Sequence, residues 1–364
     1  MCLSRLGSLN ALEGAQGVPF WKRWLEASLP SADSVGRICA GMAPAPIRVV
    51  NQNIYAQLKR NKALPPPWHG LIPLIFDGHE THASYRRHCE GCLQRNVETS
   101  KGKRIQYYHR NVTAMIATEE LPFLVDSEPQ IPGEDEVACA LRLLDRILCD
   151  YPRAFDVVLG DGLYTDPRLY NFVLDHGKDV LTVLKDERRD LIQDARALFS
   201  GRLPTEFSRG KTSVSCWDLE GFTSWPTVKT PVRVVRSREV TKVRRQLDDQ
   251  VEEVTSEWLW ATTLPIARAS SRAVVTLGHT RWDIENKGFN EAVTYWHADH
   301  LYKHHPTAIL VFWLLSMVAV NLFHAFFRYN LKPALRARTT MLMAGRLMLA
   351  ELLDGASIEL QYPP

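Results

Sequence analysis

Apolar residues fall along this chain in two kinds of run. "GLIPLIFDGHE" (70–80), "AFDVVLGDGLY" (154–164) and "DVLTVLK" (179–185) are continuous apolar stretches of strand length, and the first two finish on Asp77-Gly78 and Asp161-Gly162. Such runs predict strands buried on both faces that deliver an acid to their ends. "RIQYYHRNVTAMIA" (104–117) and "LPFLVDSEPQI" (121–131) are β-rich and predict, with the first run, a three-stranded meander. Between these stretches a helical period takes over. In "EDEVACALRLLDRIL" (134–148), Val137, Leu141, Leu144 and Leu148 share one stripe. "TDPRLYNFVLDHG" (165–177) has a cap at Thr165 or Asp166, Pro167 in its first turn and Gly177 at its end. A further helix runs to Leu198. Strand, helix, strand, helix in succession predicts an α/β fold with a partly parallel sheet and functional groups at strand ends.

Elsewhere the pattern divides the chain. Residues 1–70 read as a helical N-terminal region, a candidate for DNA binding, closed by Pro65-Pro66-Pro67. Residues 71–200 form the first half of the core, 201–257 a β-rich insertion with many charges, 258–330 the second half and 331–364 a C-terminal tail. The second half opens on the apolar strand "EWLWATTLP" and continues into a helix, "RWDIENKGFNEAVTYW" (281–296). On that helix Arg281 and Glu285 are i,i+4 neighbours, while Trp282, Ile284, Phe289, Val293 and Trp296 supply apolar surface.

Residues 308–327, "AILVFWLLSMVAVNLFHAFF", are long and apolar enough to span a membrane. Asn321 and His324 inside the run, the lack of a second such segment and a mean hydropathy of −0.19 favour a helix buried in a large core, without membrane contact. At 364 residues and 45% hydrophobic content the chain has material for a sizeable core. A net charge of +3 supplies no bulk basic field, so any contact with nucleic acid must come from local patches. Those are 101–104, 233–245 and 328–338; within the second, Arg236, Arg238, Arg244 and Arg245 lie near Trp217 and Trp225 and are the candidate DNA contacts, together with Arg281. Seven cysteines without regular spacing or a signal peptide point to the cytoplasm.

Three acids now share a context: Asp77 and Asp161 after apolar strands, and Glu285 on a core-facing helix. Carboxylates held together at a buried edge repel one another unless a cation with oxygen preference relieves them. The order "FDGHE", "LGDGLY", β-rich insertion, "RWDIENKGFNEAVTYWHADHLYKHHP" resembles the DDE transposases of bacterial insertion sequences over roughly residues 71–330. The resemblance implies a ribonuclease H-like mixed sheet flanked by helices, with Asp77, Asp161 and Glu285 as catalytic and metal-binding acids. It also implies two magnesium ions, with manganese able to substitute, and cleavage and strand transfer at terminal inverted repeats of double-stranded DNA by a dimer on paired ends. The sequence departs from the family's signature at Gly278, where a tyrosine would precede Arg281, and at Ala292, where a lysine would follow Glu285. The competing readings are an inactive DNA-binding relic of a transposase and a protein anchored through 308–327.

"HETHASYRRHCEGC" places His79, His82 and His88 near Cys89 and Cys92, and Cys-x-x-Cys is a zinc-ligand spacing. A second cysteine pair is missing, and two reduced cysteines in a loop are the commoner outcome of such a sequence. "HADHLYKHH" reads as a polar helix and turn leading into the apolar segment.

Overall fold

The computed structural model describes residues 8–66, 68–100, 102–118, 120–185, 190–244, 251–301 and 303–354. Four helices open the chain: α1 (Leu9–Gly14), α2 (Pro19–Leu25), α3 (Ala32–Gly41) and α4 (Pro44–Arg60). Ser8 and Ser31 cap α1 and α3 by accepting backbone N–H bonds from Ala11 and Ser34, and prolines stand in the first turns of α2 and α4, where no hydrogen bond is lost.

After them come β1 (Pro73–Ser84), β2 (Leu93–Thr99), β3 (Gly102–Ile116), β4 (Phe123–Pro129), α5 (Glu136–Asp150), β5 (Val157–Gly160), α6 (Pro167–Asp175), β6 (Asp179–Val183) and α7 (Asp190–Phe199). Four more strands follow, β7 (Thr205–Arg209), β8 (Thr212–Phe222), β9 (Val232–Arg244) and β10 (Val251–Thr262), then α8 (Ser271–Thr280), a π-helical segment (Ile284–Phe289), α9 (Asn290–Trp296) and α10 (Pro306–Ala325). A second π-helical segment (Phe326–Asn330) leads to α11 (Pro333–Arg338) and α12 (Met341–Asp354).

The strands form one sheet in the order β2-β3-β1-β5-β6-β10-β9-β8-β7, with β4 also paired to β3. β3 is long enough to serve two partners on one edge: 102–108 face β2 and 111–116 face β4. β5 lies parallel to both β1 and β6, and the other pairs are antiparallel. The central β4-β3-β1-β5-β6 unit, with helices on both faces, is the ribonuclease H-like arrangement that the sequence implied.

Alternation along the strands gives each face its own core. Ile75, Leu159 and Leu181 pack with α8, the first π-helical segment, α9 and α10, whereas Leu74, Phe76, Val158 and Val180 pack with α5, α6 and α7. Leu74, Ile75 and Phe76 are wholly buried, each worth about 1.5–3 kcal/mol of apolar burial.

Three differences from the sequence reading have physical causes. The meander contains a further strand, β2, whose mostly exposed polar side chains give no apolar signal. The β-rich stretch 201–257 continues the central sheet: β10 pairs with β9 along its whole length and with β6 through Trp260–Thr262, so position 257 falls inside one strand. Finally, α3 and α4 are packed into the main cores through Cys39, Ile47, Tyr55 and Leu58, while α1 and α2 form a small cluster around Leu12, Ala15 and Trp21.

α10 is apolar all round because α3, α4, α9 and β4 all pack on it. Its polar residues have partners inside the protein. Asn321 donates to the Leu124 carbonyl at 2.8 Å and to Asn51 at 2.9 Å, and accepts from the Leu124 N–H at 3.0 Å. Asn51 donates in turn to the carbonyls of Leu124 and Val125, so two side-chain amides satisfy part of the outer edge of β4. His324 pairs with Glu291 at 2.7 Å.

Candidate active site

The paired register of β1 and β5 runs Pro73 to Val157, Leu74 to Val158 and Ile75 to Leu159; continued by two residues it sets Asp77 level with Asp161. Asp161 keeps an extended backbone, so both aspartates project to the face that carries Ile75 and Leu159. Asp161 also accepts the Leu163 N–H at 2.8 Å, starting a short 3-10 turn over Gly162–Tyr164.

Asp77 does not end its strand, since β1 continues to Ser84 in register with β3. Gly78 is there for a close approach and not for a turn: a Cβ at that position would lie 2.5 Å from Glu136 Oε1. Glu136 is fixed against Gly78 by the Tyr164 hydroxyl at 2.9 Å and by Arg110 at 3.0 Å. At the other pair the constraint falls on Gly160, where a Cβ would meet Tyr164 Cβ at 2.7 Å.

Glu285 lies in the first π-helical segment, which packs on β1. A π-helical turn often marks a functional site. Arg281, 6% exposed, donates to Glu285 Oε1 at 3.1 Å and lies over the Trp282 ring at 5.1 Å. The charges of all these groups reach Asp77. Burial raises its pKa to about 7; Arg281 opposes the rise, Glu285 adds to it, the Gly78 N–H opposes it and Asp161 adds to it. The fold therefore brings Asp77, Asp161, Glu285 and Arg281 into one electrostatic cluster.

His79, two residues beyond Asp77, stacks on Phe289 at 4.7 Å and on Trp313 at 5.4 Å, and burial lowers its pKa. Alternation with Asp77 along β1 places it on the face that carries the acids, whereas the sequence pattern groups it with the Cys-x-x-Cys loop. The two departures from the family signature have local reasons. A Cβ at Gly278 would come within 2.3 Å of Trp260 Nε1, and Ala292 is buried in the core between α9 and α10.

Of the other candidates, Arg236, Arg238 and Arg244 share one face of β9. Arg236 pairs with Glu257 at 2.8 Å and stacks on Trp217 at 4.8 Å, while Arg238 is exposed. Arg245 lies outside the described residues. Arg233, in the same basic run, is buried and pairs with Asp218, so it supports the fold. Of the histidines expected to join Cys89 and Cys92, His79 is stacked as above, His88 stacks on Tyr107 at 4.7 Å, and His82 lies close by with its ring 6.4 Å from that of His109. Instead, His109 and His304 reach the cysteines.

A strand-borne aspartate pair joined by a helical glutamate defines the class of DDE enzymes. The transposase DDE domain family matches residues 72–322, and the chain belongs to that family. Among solved structures, the chain is similar to the cryo-EM structure of a piggyBac transposase synaptic complex with hairpin DNA, at 9% sequence identity and a TM-score of 0.47. That match covers 84% of this chain and 58% of the piggyBac chain. No curated protein matches the sequence.

Proposed function

We propose that the chain is an insertion-sequence transposase that cleaves double-stranded DNA at element ends and transfers the strand, with Asp77, Asp161 and Glu285 as its catalytic acids. One observation carries this reading: the β1–β5 register, continued by two residues, sets Asp77 level with Asp161 on one face of the sheet, and the π-helical segment that bears Glu285 packs on β1 at that face, where the charges of Glu285 and Asp161 both act on Asp77. The donors are all oxygens, which suits magnesium, or manganese in its place, and the three acids would hold two such ions. Bound there, the metal would supply the charge that activates a hydroxyl nucleophile and stabilises the leaving oxygen of a phosphodiester.

The chain's own residues do the rest. Arg281 orients Glu285 through its hydrogen bond and moderates the charge at Asp77. The Arg236, Arg238 and Arg244 face, with Trp217 beneath Arg236, offers phosphate-neutralising charge beside an aromatic ring; Arg245, which follows outside the described residues, is proposed as a further DNA contact from the sequence alone. A DNA-binding role for 1–70 would fall to α1 and α2, because α3 and α4 are committed to the core. A dimer on paired inverted repeats and a cytoplasmic location belong to the same reading.

The test is incubation of the full chain with DNA carrying the inverted repeats that bracket its gene. Strand nicks at the repeat ends in magnesium or manganese, and none in a chelator, are expected. Cleavage that persists in chelator, or its absence with every divalent ion, overturns the reading.

A further inference from the structure

Cys89 and Cys92 in the connection from β1 to β2, His109 on β3 and His304 in the link from α9 to α10 bring their ligand atoms within 4.8 Å of one another. We propose that these four residues form a closed structural zinc site, separate from the carboxylate cluster. Cys89 Sγ and Cys92 Sγ are 3.7 Å apart, and His109 Nε2 lies 3.3 Å from each sulfur. His304 Nε2 is 3.3 Å from Cys92 Sγ. A tetrahedral zinc ion with ordinary bond lengths sets sulfur atoms about 3.8 Å apart and sulfur and nitrogen about 3.5 Å apart. The cluster already approaches that shape. It is also too wide for a disulfide between the two cysteines.

The surroundings are built for it. Cys92 and His109 are 4% and 5% exposed, and a Cβ at Gly91, between the cysteines, would lie 2.9 Å from Pro306 Cβ. That glycine lets the Cys-x-x-Cys turn close onto the start of α10. Two thiolates and two imidazoles are soft and borderline donors, which favours zinc over the hard cation assigned to the acids. Four protein ligands leave no open position, so the ion would be structural. It would fasten the link that follows the Glu285-bearing helix to β3, the neighbour of the Asp77 strand. The sequence concealed the set, because His304 is 212 positions from Cys92.

The test uses full-length protein without a histidine tag. Elemental analysis should find one zinc per chain, and replacement by cobalt should give a thiolate-to-cobalt charge-transfer band and the intense d–d bands of four-coordinate geometry. Cys92→Ser and His304→Ala should each lose the bound zinc, whereas His88→Ala should keep it. If a variant does not fold, the wild-type stoichiometry and cobalt spectrum still decide. Wild-type protein that holds no zinc and gives no four-coordinate cobalt spectrum overturns the proposal; so does full zinc content in both Cys92→Ser and His304→Ala. These readouts do not depend on DNA cleavage, so failure here is distinguishable from failure of the transposase reading.

Discussion

Arg281 and Glu285 are joined by a 3.1 Å hydrogen bond at the point where the chain passes from α8 into the π-helical segment, with the arginine buried and the glutamate half-exposed. An exposed i,i+4 pair contributes little. Here the buried arginine fixes the carboxylate, and its charge also lowers the pKa of Asp77. Arg281→Lys keeps a charge but loses the planar fork. Cleavage should fall on the order of tenfold to a hundredfold. Arg281→Ala should in addition move the acid limb of the pH–rate profile upward, because Asp77 loses the cation that opposes its rise. An unchanged profile would show that Arg281 acts only on the fold.

Asp77 also makes stability depend on pH. Its folded pKa is raised from 3.8 to about 7, so the folded state holds a proton that the unfolded state releases. Stability is therefore lost as pH rises from about 4 to about 7, by roughly 1–3 kcal/mol after discounting for partial exposure. Asp77→Asn removes that cost. In metal-free buffer the variant should melt above wild type at pH 8, with the gain shrinking at pH 5. Magnesium should raise the wild-type melting temperature and leave the variant nearly unmoved. Equal melting of the two proteins at pH 8 would argue against a strained carboxylate.

Asn321→Leu keeps α10 apolar but leaves the Leu124 N–H and Asn51 short of partners. Unpaired buried polar groups cost about 1–3 kcal/mol each, so denaturant unfolding should show a loss of that order. In a membrane-spanning segment the same change would be neutral or favourable. A variant as stable as wild type would contradict burial of α10 against β4.

Replacing Arg236, Arg238 and Arg244 together by alanine should weaken DNA binding and flatten the dependence of log K on log salt, by just under one unit of slope for each phosphate that the variant no longer neutralises. Arg236 already pairs with Glu257, so its share should be the smallest. An unchanged slope in a binding titration would remove this face from the DNA path.

Much of the fold was legible because its central strands are buried on both faces. Leu74–Phe76 and Val157–Leu159 read directly as apolar runs, and the helical stripe of 134–148 became α5. The exposed β2 was not legible, nor was the merging of 201–257 into the main sheet, since pairing partners leave no mark in a local pattern. At the site, order and family resemblance singled out the three acids on which the proposed function rests, but the reason for Gly78 was not legible. It depends on Glu136, which is 58 positions away in sequence and carries no motif. Glu291 on α9 is a second case: no local pattern marks it, yet it pairs with buried His324, so its removal would disturb the core.

The most direct measurement compares magnesium-dependent end cleavage by Asp77→Ala, Asp161→Ala and Glu285→Ala with that by Asp283→Ala, using protein shown by circular dichroism to be folded. Asp283 is a suitable control because it is two residues from Glu285 and pairs with Lys287 at 2.9 Å. Each of the first three should lose cleavage while still binding the repeat ends, and Asp283→Ala should cut at close to the wild-type rate. Retained cleavage in Glu285→Ala with loss in Asp283→Ala would contradict the assignment of the third acid; wild-type cleavage in all three would contradict the active site itself.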